Sequence, residues 1–262
     1  MSAEQQTPAI VVGGIDYGEA DRIVRLLSAT LGRVSVLARA ARRSNRRFTG
    51  ALEAGNRITA TVRPGRGDLW HLKAAKLEDG RLHARSDLEV LSLLSYACEV
   101  CGELARPLHA EPRLFGLLDM ALVLLDAVTA PPSPLFRLGL EAKALTFAGL
   151  TPTLDRCAIC SEPATGGLAF DPAAGGVVHI ECHRGPELSA EWCVAVEAAR
   201  RTPLRELIDA PLPAGPPWAL SDHIQWHLGR GLKSRSVLAA VSLPPPAPRP
   251  EPVPADSDPS PQ

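Results

Sequence analysis

The chain is poor in aromatics, with Phe, Trp and Tyr making up 4% of its 262 residues. Any surface that stacks on nucleobases must therefore be built from few rings. Cysteine is scarce as well. Six in the whole chain is far below the density of a secreted disulfide scaffold, so free thiols or metal ligands are expected. Long apolar runs are missing. The most apolar stretch, Leu114 to Val128, is interrupted by Asp119 and Asp126 and is shorter than the roughly 20 apolar residues a bilayer crossing needs. Met1 to Thr7 carries Glu4 and lacks the apolar segment of a secretory signal. Together these absences place the protein in the cytoplasm. Enzyme signatures are also absent. No G-x-x-x-x-G-K-[ST] cradles a phosphate, no G-x-S-x-G positions a nucleophile, and Gly65-Arg66-Gly67 lacks the later glycine of a dinucleotide fingerprint. A non-enzyme is favoured.

Neither sign of charge dominates: 28 Lys and Arg stand against 29 Asp and Glu, for a formal net charge of -1. Such a balance ordinarily argues against a nucleic-acid partner. Counted by segment, it becomes a cancellation. Arg33 to Lys73 holds ten basic residues against Glu53 and Asp68, a local +8, which leaves -9 for the remainder. The densest run is Arg39, Arg42, Arg43, Arg46 and Arg47, followed by Phe48, with Ser44 and Asn45 between. Arginines there can neutralise phosphates, Ser and Asn can bond phosphate oxygens, and Phe48 is expected to stack on a base. Arg63 and Arg66, on a second glycine-rich turn, extend the same track.

The hydrophobic pattern divides the chain. Ala9–Val12, Arg22–Leu27, Val34–Ala38, Ile58–Val62 and Leu69–Ala75 read as short strands separated by glycine and proline turn signals. Five such strands in some seventy residues suggest a small barrel of the OB-fold type. Arg22–Leu27 also fits helical spacing, and period alone does not arbitrate so short a run. From Ser86 onward the spacing is helical, through Leu94, Cys98, Cys101 and Ala105 and then Leu114 to Val128. Ser133 with Pro134 predicts the start of a helix over 135–148. Ser189 and Ser221 are candidate caps for helices over 190–201 and 222–228. The expected class is α+β: an N-terminal barrel over 1–80, then an all-helical domain in two parts, 81–150 and 188–241, with an insert at 151–187. Residues 242–262 are expected to form a disordered tail of polyproline II character, since nine of the nineteen residues from Pro244 are proline.

Cys157-x-x-Cys160 and His179-x-x-Cys182 are separated by 18 residues, the spacing of a closed tetrahedral zinc site. Four protein ligands leave no open position, so the expected Zn²⁺ is structural, replacing a core that so short an insert cannot build. His183, adjacent to Cys182, competes with His179 as the fourth ligand. Cys98 and Cys101 also form a CxxC, but within an apolar helical stripe, where cysteine packs as a small hydrophobe. Cys193, beside Trp192, reads the same way.

Two catalytic alternatives were weighed. His109-Ala110-Glu111 upstream of Cys157-x-x-Cys160 resembles the zinc deaminase pattern, with Glu111 as acid and base, but Arg156 stands where that pattern has proline, and His179 and Cys182 would have no role. His223 and His227 are four apart on a helix, yet Ile224 occupies the position of a zincin's glutamate. A zinc-stabilised RNA-binding adaptor is a further alternative, differing from a DNA-binding protein only in ligand.

Several segments, taken in order, resemble the bacterial recombination mediator family RecO: Ala9–Val12, Tyr17–Val24, Gly32–Ala38, Ala41–Ser44 with Phe48, the Cys157/Cys160 and His179/Cys182 insert, and Lys233–Leu238. The resemblance spans about residues 8–240. It implies an OB-fold that binds single- and double-stranded DNA, a zinc-binding module in a helical domain, and a role in recombinational repair through the RecF pathway. It further implies work with RecR, engagement of single-stranded-DNA-binding protein (SSB), help in loading RecA onto SSB-coated strands, strand annealing, and a nucleoid-associated cytoplasmic location. Two departures stand out. Ala38-Arg39-Ala40 replaces the family's frequent Ala-Lys-Gly, and His179 replaces a third cysteine, which changes metal softness without forbidding zinc.

Overall fold

A computed structural model of the chain describes residues 4–43, 48, 50–65, 67–185 and 187–242. The predicted tail, apart from Ser242, lies outside them. Five strands, β1 (Gln5–Tyr17), β2 (Asp21–Ser28), β3 (Gly32–Ala38), β4 (Arg57–Arg63) and β5 (Leu69–Asp79), close a barrel in the order β1-β2-β3-β5-β4. All pairings are antiparallel except β3 with β5, which closes the cylinder in parallel. This is the OB-fold expected from the turn spacing.

The segment that fitted either element is a strand, and its ambiguity has a physical cause. Val24 and Leu26 point into the barrel core, whereas Leu27 points out into a second core shared with the helices. A strand buried on both faces loses its alternating signature. β1 runs longer than its apolar stretch because a bulge between Val11 and Gly13 lets it bend around the cylinder.

The helical part comprises α1 (Leu88–Leu104), α2 (Pro112–Ala127), α3 (Pro134–Phe147), α4 (Ala190–Arg201), α5 (Ala219–Leu228) and α6 (Lys233–Val241). Ser133 caps α3 by accepting from the Leu135 amide at 3.1 Å, and Ser189 caps α4 through the Trp192 amide at 3.2 Å. Ser221 is not a cap. It is fully buried inside the first turn of α5, whose N-cap position is Trp218. Among the described residues, no helix is long and apolar enough to cross a membrane. The insert, expected to be irregular, contains a three-stranded sheet of β6 (Leu168–Asp171), β7 (Gly176–His179) and β8 (Glu187–Leu188) in the order β7-β6-β8.

Ile10, Val12 and Leu27 on the outside of the barrel join the large core around α1. The two units are also laced through backbone. Arg33 N–H donates to Arg106 O at 3.2 Å, Leu108 N–H to Arg33 O at 3.1 Å, and Glu111 N–H to Ala29 O at 3.1 Å, fastening the β2–β3 turn to the α1–α2 connection. Gly32 makes this approach possible. It has φ +62°, and a β-carbon there would lie 1.9 Å from His109 O. Helix α1 is tied to α3 by a buried polar group: fully buried Glu141 accepts from Tyr96 Oη and Arg137 Nη1, each at 2.6 Å.

Gly32→Ala is expected to cost about 2 kcal/mol or more, from left-handed strain plus displacement of the α1–α2 connection. Urea denaturation should show a midpoint shift of that size, whereas Gly50→Ala, with no neighbour near its β-carbon, should show only the strain.

Candidate metal centre and nucleic-acid interface

The insert is folded around its thiols. Cys157 and Cys160 lie on a turn preceding the sheet, where the Ser161 amide donates to Cys157 O at 2.9 Å. His179 ends β7, and Cys182 follows on a turn closed by its amide to His179 O at 2.9 Å. Three Sγ atoms and one imidazole nitrogen come within 4.8 Å of one another, with Cys160 Sγ 3.4 Å from His179 Nδ1. The other ring nitrogen, Nε2, faces Pro163 O at 3.1 Å. A proton held there leaves Nδ1 as a lone-pair donor aimed at the cysteines, the arrangement by which a carbonyl orients a metal-binding histidine.

The competing histidine is turned away: His183 Nε2 faces Asp171 Oδ2 at 3.6 Å. Burial pushes the Cys157 thiol up, but amide donors from Cys160, His179 and Ile159 outweigh it and bring the thiol down to about 6. Cys182 is pushed up to about 11, first by burial and then by the neighbouring sulfurs of Cys160 and Cys157. One thiol poised as thiolate beside others that resist losing protons suits a site that a cation completes. The donor set fits Zn²⁺, with no ligand position left over.

The remaining candidate ligands have other occupations. Cys98 and Cys101 are fully buried in the α1 core; burial pushes Cys98 up to about 12 and raises Cys101 as well. Cys193 is buried and raised to about 11 by the same cause. Glu111 lies outside the cysteine cluster and is held by Arg106 Nε at 2.6 Å. His223 is buried against Phe170, with Nε2 3.1 Å from Leu150 O and 3.2 Å from His227 Nε2.

On the barrel, Arg39, Arg42, Arg43 and Arg63 are exposed, whereas Arg46, Arg47 and Arg66 lie outside the described residues. Arg42 faces Asp16 at 3.4 Å and Arg43 faces Glu19 at 3.1 Å, so the arginine loop starts from the acidic β1–β2 hairpin. Exposed pairs of this kind are weak and exchange readily for a stronger anion. Ala40, where the family often has glycine, takes the left-handed conformation at φ +54°. Phe48 requires a correction. It is 4% exposed and packs in the barrel core with Ala51 and Leu52, so its ring is not available to stack on a base; adjacency to arginines in sequence said nothing about which way it faced.

Other residues that the sequence reading did not single out share the outer face of the barrel. His71 pairs across to Arg63 on β4. Its imidazole pKa is lowered by partial desolvation and then by the charges of Arg39, Arg63 and Lys73. On β1, Tyr17 is 53% exposed and lies opposite Asp21. The alternation of β1 and β5 was the available signal for both, but only closure of the barrel brings them near Arg39.

Comparison with known proteins agrees with this architecture. Residues 1–81 match the family model described as "Recombination protein O N terminal" and residues 85–236 the one described as "Recombination protein O C terminal". The DNA repair protein RecO of Myxococcus xanthus is 38% identical over 242 residues, covering 90% of this chain and 97% of that protein. That of Anaeromyxobacter dehalogenans (strain 2CP-C) is 39% identical over 239 residues, covering 87% and 93%. The Pelobacter propionicus protein of the same name is 33% identical over 243 residues, covering 91% and 97%. An N-terminal OB barrel continuing into helices, with both family models matched over nearly the whole chain, places this protein in the RecO family of DNA repair and recombination proteins.

Proposed function

We propose that this chain is a non-catalytic DNA-binding mediator of recombinational repair in the RecF pathway. It binds single- and double-stranded DNA, anneals complementary strands and helps RecA load onto SSB-coated single strands, in concert with RecR and SSB, in the cytoplasm at the nucleoid. The observation that carries this reading is the cationic outer face of the barrel, where Arg39, Arg63 and Lys73 surround His71 closely enough to disfavour its protonation. Phosphates supply what such a face lacks. Annealing follows from the same charge, because a cationic surface screens the repulsion between two backbones as counterions are released. Tyr17, rather than Phe48, offers an exposed ring beside this face.

Cys157, Cys160, His179 and Cys182 are the residues that would hold a structural Zn²⁺, and the ion would supply cross-linking of the insert rather than chemistry on a substrate. His179 is fixed as a ligand by its contact to Pro163.

Reversal of Arg39, Arg42 and Arg43 to glutamate should abolish oligonucleotide binding at moderate salt. In the wild type the slope of log affinity against log salt counts the phosphates at about 0.7 each on single strands; unchanged affinity in the variant would overturn the assignment. Tyr17→Ala should weaken single-strand binding by about 1–3 kcal/mol, whereas Phe48→Leu should leave affinity alone and lower only the melting temperature. Protein purified without chelator should carry one zinc per chain by elemental analysis. Stripping the metal, or Cys182→Ala, should lower the Tm by about 10 °C, given a structural site worth several kcal/mol and about 2–4 °C per kcal/mol for a chain of this size.

A further inference from the structure

At the junction of barrel and helices, Glu103 is almost wholly buried, its side chain 3% exposed. Three arginines from three distant parts of the chain converge on it. Arg25 Nη1 donates to Oε1 at 2.6 Å, Arg33 Nη1 donates to Oε2 at 2.8 Å, and Arg230 Nη2 also meets Oε2. A buried carboxylate needs one compensating cation, perhaps shared; three leave two positive charges in excess. All three guanidiniums remain partly open to solvent, with side-chain exposures of 37%, 26% and 49%. Each presents five N–H donors in a planar fork and meets Glu103 through one nitrogen.

The local backbone is arranged to hold them. Gly13 leaves β1 bare, and a β-carbon there would sit 3.1 Å from Arg25 Nη2, so the guanidinium lies against the strand. Gly229, left-handed at φ +64°, ends α5 and turns the chain into Arg230. One row along β2 from Arg25, Ile23 pairs with Ile15 on one side and Leu37 on the other, and Leu37 pairs with His71. The cluster and the His71 face therefore belong to one continuous outer surface of the barrel.

We infer that Arg25, Arg33 and Arg230, gathered on Glu103, form a second phosphate-binding site that continues the nucleic-acid track from the barrel onto the helical part. Glu103 acts as a positioning residue: it holds the forks in place and is itself not a contact. This rests on the DNA-binding reading above. Arginine forks suit the paired oxygens of a backbone phosphate, and the mixed origin of the three means that the strand crosses the junction rather than ending at the barrel.

The test uses the full-length protein and a fluorescent oligothymidylate, titrated at several salt concentrations. Arg230→Gln is the decisive variant, because each Glu103 oxygen keeps an arginine partner and the fold is retained. It should weaken binding roughly fivefold and reduce the salt slope by about 0.7. Glu103→Gln removes the competing charge and should tighten binding even if it lowers the melting temperature, whereas a merely structural carboxylate would show only the loss of stability. If the Arg39, Arg42 and Arg43 reversal abolishes binding while Arg230→Gln changes neither affinity nor slope, this site is overturned and the barrel reading stands. A wild-type protein that binds no oligonucleotide overturns both.

Discussion

Helix α1 is apolar nearly all the way round, and such a helix is stable only when something covers each side. Twelve of its seventeen residues are buried, and what covers them is the rest of the protein. Ile10, Val12 and Leu27 of the barrel, α2, α3 and α6 all pack on it. Its few polar side chains are consequently held by other elements: Tyr96 by Glu141 of α3, Glu99 by the Lys233 and Ser234 amides at the start of α6, and Glu103 by arginines of β2, β3 and the α5–α6 turn. Glu99 and Glu103 are one helical turn apart, so a single edge of α1 fixes both the start of α6 and the arginines before it.

Much of this was legible in the sequence because local rules and the global fold agree. Turn glycines and prolines separated the strands, and Ser133 and Ser189 marked two helix starts. The Cys/His spacing brought four ligands together. Failures occurred where a residue serves a distant partner. The β2 segment faces two cores and so hid its period. Ser221 looks like a cap and is packed inside α5. Phe48 stands among arginines in the chain yet belongs to the barrel interior. Arg25, Arg33, Glu103 and Arg230 span most of the chain, and no window of sequence contains their convergence.

Two cationic regions emerge with different supports. The arginine loop leans on exposed acids at Asp16 and Glu19, a loose arrangement that solvent and salt compete with readily. The arginines on Glu103 are organised by a carboxylate withdrawn from water, which burial would protonate and the three cations instead hold below its ordinary pKa. Its contribution to stability is present above the ordinary carboxylate range and is lost as pH falls through that lowered value.

The barrel is closed through the parallel β3–β5 pairing, and each of its five strands has a neighbour on both sides. No row of free amides and carbonyls is offered along its wall, so copies crowded side by side on one DNA molecule have no template there for zipping sheet to sheet. Molecules held at high local density can therefore slide, turn over and be displaced as separate particles, and whatever joins them to other proteins must do so through side chains and helix surfaces.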